Sequence, residues 1–213
     1  MMDTSESQLF VAGAGVVLDA LSDPAVEAAW DWPSVLEEQL VSSLAGHLAR
    51  GGIWVVAEYL RGGTAARELD FASAADYFTA AVTAGGPEAR KAVRDRGAAI
   101  AALGREEIIR RSSAELTWLE TELEGLPAGQ LIAVIAGKVM TLAEYLATRV
   151  VEQAVHLDDL ARSVGREPWP LPREHRALAI SIGTDIACRA HGPDATIRAL
   201  YRRGFAEGIF PVL

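Results

Sequence analysis

Residues 140–165 read "MTLAEYLATRVVEQAVHLDDLARSVG", and how they fold decides the rest. Leu142, Tyr145, Leu146 and Val155 recur at helical spacing, so the stretch predicts one long amphipathic helix. Thr141 stands before it and Glu144 three residues on, the pattern of a capping box. "GREPWPLP" ends it. Glu152 and His156 are four apart, so they share one face of that helix. Such a pair can hold a metal ion, or can be an ordinary ion pair on a wet surface.

Working outward, the flanking sequence repeats the helical theme. A first helix is predicted from about Ser5 to Leu21, stopped by Pro24 and Pro33. Ser34 is predicted to cap a second, carrying Leu36, Leu40, Leu44, His47, Leu48, Ile53 and Val56, and ending near Gly62 and Gly63. "FASAADYFTAAVTAGGP" reads as a short helix with a break. Residues 88–103 and 105–124 continue the pattern, joined at Gly104. "GQLIAVIAGKVM" reads as two very short strands around Gly137 or as a loop against the core. Residues 173–190 and 194–203 form two smaller helices. No internal repeat or linker interrupts the chain, so residues 1–213 are expected to form a single all-α domain, with a four-helix bundle as its main body and short C-terminal helices added.

Composition narrows the function. Half of the 213 residues are hydrophobic, enough for a sizeable core, and the net charge is −9. So acidic a chain disfavours nucleic acid and anionic membranes, because phosphate binding needs clustered Lys and Arg. No apolar run reaches the roughly 20 residues of a membrane span. The polar, acidic "MMDTSESQLF" is not a signal peptide, and a lone Cys188 fits a reducing compartment. The expectation is a cytoplasmic protein.

Few residues can carry chemistry. Of four histidines, His47 lies on an apolar stripe with Leu40, Leu44 and Leu48, and His156 follows Glu152. If both face the bundle, two imidazoles and a carboxylate make a three-donor metal site with open positions, suited to zinc, iron or nickel. The bland alternative is a hydrogen-bonded core histidine and a surface Glu–His pair. Asp159 either orients a ligand or is solvated. Arg149 reads more readily as a surface ion pair than as an anchor for an anion. Tyr145 and Trp54 read as core, His175 and His191 as surface, and Cys188 as a buried inert thiol. "VAGAGVVLDA" lacks a preceding strand and is rejected as a nucleotide loop.

"PSVLEEQLVSSLAGHLARG" (33–51), together with residues 140–165, resembles the N-terminal domain of mycothiol-dependent maleylpyruvate isomerases, within the DinB-like superfamily. "HGPDATIRALYRRGFAEGIFPVL" is similar to the ending of stand-alone members. The resemblance implies a four-helix bundle holding a divalent metal, usually zinc, through His47, Glu152 and His156. It implies chemistry through a metal-bound thiolate, with mycothiol as the thiol cosubstrate and a small electrophile as the substrate, giving isomerisation or S-transfer. The two-domain isomerases carry a further C-terminal domain; this chain ends at Leu213, which puts maleylpyruvate isomerisation itself in question. A non-catalytic bundle, with a structural metal or none, stands as the alternative, and pairing into a homodimer is left open.

Overall fold

The computed structural model describes residues 5–63, 68–127 and 129–212, without the side chains of 82–84. Among these, the protein is all-α with one small two-stranded ribbon. Helix α1 (Glu6–Ser22) begins at Ser5, whose hydroxyl accepts from Gln8 N while the Gln8 side chain returns to Ser5 N. Two of the orphan donors of the first turn thus find acceptors. Short α2 (Pro24–Ala28) follows, capped by Asp23. Then come α3 (Val41–Ala49), a π-helical turn (Arg50–Trp54) and α4 (Val55–Arg61), which form one continuous rod.

The rod starts later than Ser34 predicts. Ser34 spends its hydroxyl on Leu36 and its backbone N–H on Gln39 O, and Pro33 pairs with Leu40 across a bridge. These local bonds close residues 33–40 into a loop with Glu38 at φ 58°, so Leu40 is left half-exposed at the helix start. Serine competes with the backbone in this way wherever a turn is within reach.

Helices α5 (Ala74–Ala84), α6 (Pro87–Ala101) and α7 (Arg105–Glu124) follow, with Gly104 at φ 85° between the last two. The ambiguous stretch forms strands β1 (Leu131–Ala133) and β2 (Val139–Thr141), antiparallel with Ile132 opposite Met140. Helix α8 (Leu142–Ser163) is capped by the Thr141 hydroxyl. Glu144 does not complete a capping box; its carboxylate accepts from Ala74 N instead and so ties α5 to α8. Helices α9 (Arg173–His191) and α10 (Pro193–Tyr201) close the chain. No helix of the described residues is long and apolar enough to cross a membrane.

Helix α1 packs on α7 and α8, α3 packs on α6 and α8, and α9 lies along α8 and α5. The central core is built from Phe10, Val17 and Leu21 of α1, Leu44 and Leu48 of α3, Leu119 of α7, and Leu142, Leu146 and Leu160 of α8. Each such side chain contributes roughly 1.5–3 kcal/mol on burial. Helices α3 and α6 cross at bare backbone: a Cβ on Gly46 would fall 2.5 Å from Gly97 O, and one on Gly97 would fall 2.5 Å from Ser43 O. That crossing packs α6 onto the helix that carries His47.

Candidate metal centre

Helix α8 offers two flanks. Leu142, Leu146, Val150, Gln153, Leu157 and Leu160 follow one stripe and are buried. Tyr145, Arg149, Glu152, His156 and Asp159 follow the next, rotated toward α3 by the 100° step of the helix. His47, in the last turn of α3, meets this second stripe.

Three donor atoms converge there. His47 Nε2 lies 3.2 Å from His156 Nε2. Glu152 Oε2 lies 3.4 Å from the first and 3.5 Å from the second. A zinc ion with bonds of about 2.0–2.2 Å in tetrahedral geometry separates its ligands by roughly 3.3–3.5 Å, so this triangle matches one face of such a polyhedron. The two rings stand nearly perpendicular, at 88°. The three residues could hold a metal ion, and a nitrogen and oxygen donor set of this kind suits a borderline cation.

The surroundings orient the donors. Asp159 Oδ2 lies 3.0 Å from His156 Nδ1, so Nδ1–H donates outward and Nε2 is the nitrogen that faces the triangle. It acts there as a donor to Glu152 while the ring is protonated and as a lone pair once a cation displaces that proton. The alternative of a solvated Asp159 is removed, since it is 8 % exposed. Burial works to lower the His156 imidazole; hydrogen bonds with Asp159 and Glu152, and their charges, outweigh it and push it up to about 9. Burial likewise works to raise the Glu152 carboxyl; hydrogen bonds from His156 and His47 and the charge of Arg149 hold it well below the usual range. Glu152 is therefore an anion at any neutral pH.

The triangle reaches solvent. His47, Glu152 and His156 keep 22 %, 20 % and 20 % of their side-chain surface exposed. Gly51 of the π turn borders the site, and a Cβ there would lie 3.5 Å from Glu152 Oε2. The lack of a side chain at 51 keeps that approach clear.

Arg149 and His175 depart furthest from the sequence reading. Arg149 is not a surface ion pair; it is 5 % exposed. Its Nη1 donates to Gly51 O at 3.3 Å, its Nε donates to Thr148 Oγ1 at 3.0 Å, and its guanidinium stacks on the Tyr145 ring. Helix α5 covers this flank, so the charge is satisfied by carbonyl, hydroxyl and ring faces rather than by water. His175 is not on the surface either. It is fully buried, and its Nε2 lies 2.9 Å from Gln153 Oε1. The signal was available, because Leu171, His175, Leu178, Ile182 and Ile186 share a helical stripe. His191 is exposed as expected, Trp54 and Tyr145 are core, and Cys188 is half-buried rather than fully enclosed. Gly13 and Gly15 lie inside α1, in agreement with the rejection of a nucleotide loop.

The chain has no match among curated proteins or among solved structures. The family model described as the mycothiol maleylpyruvate isomerase N-terminal domain matches residues 11–161. That span holds all three donors of the triangle, and the chain belongs to that family.

Proposed function

We propose that the protein is a metal-dependent enzyme of thiol chemistry: His47, Glu152 and His156 hold a divalent cation, zinc in the first instance. The thiol is mycothiol or a small relative, and the substrate is a small electrophile that undergoes isomerisation or S-transfer. One observation carries the reading: three donors form an open triangle at a solvent-reaching edge. A structural zinc site is closed by four protein ligands, whereas a catalytic one keeps a position free. The bound cation would supply Lewis acidity that favours thiolate over thiol at neutral pH. The rest falls to the chain. Glu152 supplies the anionic donor that offsets the dication. Asp159 holds the His156 tautomer. Gly51 keeps the approach open, and Arg149 keeps a fixed positive charge beside Glu152.

The test uses untagged protein. About one zinc per chain is expected after purification. In the cobalt-substituted protein, adding mycothiol should produce a thiolate-to-metal charge-transfer band. Protein that binds neither zinc nor cobalt sinks the metal reading. Metal without any spectral response to saturating thiol would point instead to a non-catalytic bundle or to a different metal-dependent reaction.

A further inference from the structure

The π turn Arg50–Trp54 begins three residues after His47 and is held from outside its own helix. Its carbonyls reach across to α8: Gly51 O accepts from Arg149 Nη1 at 3.3 Å, and Gly52 O accepts from Gln153 Nε2 at 2.9 Å. Such turns recur at functional sites, because the wider turn turns carbonyls away from the regular ladder.

Gln153 does more than hold Gly52. Its Nε2 also donates to Phe10 O of α1 at 3.2 Å. With the amide nitrogen so committed, Oε1 is the atom that faces His175 Nε2 at 2.9 Å. An amide oxygen only accepts, so His175 carries its proton on Nε2. Its Nδ1 is then bare, and it is buried without a partner. A leucine at 175 would fill the space without leaving a nitrogen stranded. What the imidazole adds is the N–H toward Gln153.

Helix α1 makes room for the pair. A Cβ on Gly13 would fall 2.1 Å from Gln153 Oε1 and 2.4 Å from His175 Nε2. One amide therefore joins α1, α8, α9 and the π turn. Gln153 is the immediate neighbour of Glu152. His175 lies outside residues 11–161, the span of the family match.

We propose that His175 and Gln153 are positioning residues for the metal centre. His175 orients the Gln153 amide, the amide fixes the π turn on α8, and the π turn sets His47 against Glu152 and His156. The metal part of this rests on the reading under Proposed function; the latch itself does not.

The experiment compares wild type, His175→Leu, His175→Gln and Gly13→Ala, each as full chain. Glutamine can place an amide N–H near the position of Nε2–H. Two quantities are read: amide hydrogen exchange over residues 50–56 in metal-free protein, and zinc affinity by chelator competition. His175→Leu should speed exchange over 50–56 at least about tenfold while leaving 105–124 unchanged. It should weaken zinc binding about 10–100-fold, the usual effect of losing an outer support. His175→Gln should restore both. Gly13→Ala breaks the pair from the other side and should repeat the exchange change. Wild-type exchange over 50–56 in His175→Leu, or equal behaviour of the Leu and Gln variants, overturns the proposal. If both His175 variants fail to fold, Gly13→Ala decides, and unchanged exchange there overturns it. Wild-type protein that binds no zinc defeats the metal reading, and the exchange contrast then decides the latch alone.

Discussion

Glu152 and Gln153 are adjacent in the chain and work in opposite ways. Glu152 turns to the solvent-reaching flank of α8, where its carboxylate and the His47 and His156 imidazoles converge. Gln153 turns to the core, where its amide nitrogen meets two carbonyls and its oxygen meets an N–H. The core cluster is satisfied by the protein, apart from His175 Nδ1. The outer cluster brings two imidazole nitrogens and a carboxylate oxygen together at a solvent-reaching edge, where a cation could displace the shared proton. One residue of helical rotation separates a polar group that holds the fold from one that offers chemistry.

The largest expected effect breaks the outer cluster. His47→Ala or His156→Ala should abolish the stabilisation that added zinc gives, about 4 kcal/mol when zinc is a thousandfold above its Kd. Glu152→Gln should act in the same direction, because the dication loses its anionic donor. Thermal melts after chelation, with and without zinc, read this. Equal zinc shifts in wild type and Glu152→Gln would return Glu152 to the surface ion pair.

The next effect sharpens the inner cluster. Burial, with the nearby Arg176 charge, pushes the His175 imidazole down to about 4, against about 6.5 in an unfolded chain. Between these values the unfolded chain binds a proton that the folded one refuses. Stability is thus fully present above about 6.5 and is lost as the pH falls toward 4, about 3 kcal/mol in all. Urea unfolding of wild type and His175→Gln from neutral pH to pH 4 should show the wild-type excess loss. Parallel curves would remove His175 as its source.

Smaller still is the outer support. Asp159→Ala frees the His156 ring and should weaken zinc about 10–100-fold, with the fold intact by circular dichroism. Unchanged affinity would mean that the Asp159 carboxylate does not orient His156 for the metal. The least effect is expected at Gly51. Its Cβ would make ordinary contact with Glu152, so Gly51→Ala should change stability by less than about 1 kcal/mol, whereas Gly51→Leu should obstruct zinc binding. If Gly51→Leu binds zinc as wild type does, position 51 does not border the metal.

Periodicity carried much of this into view. The long helix at 142–163, its Thr141 cap, the start of the first helix near Ser5 and the breaks at Gly62 and Gly104 are local signals, settled within a few residues. His47, Glu152 and His156 were legible from an apolar stripe, a four-residue spacing and a family resemblance. The loop at 33–40 was not, because Ser34 is an equally good helix cap and turn former, and only Gln39 and Leu40 folding back decide between them. The π turn was hidden for a similar reason, since Gly51 and Gly52 read as a weak stretch of ordinary helix.

By itself, then, the sequence determined which faces are apolar, where most helices start and stop, and which few residues are candidates to bind a cation. The tertiary structure alone decided what each polar side chain meets. Arg149 became buried because α5 covers its flank, and His175 because α9 lies along α8. Glu152 and His156 gained a second imidazole because α3 packs on α8 at His47. Helical period states the direction of a side chain from its own axis, but its partners come from other helices distant in sequence, and those packings are fixed only when the whole core closes.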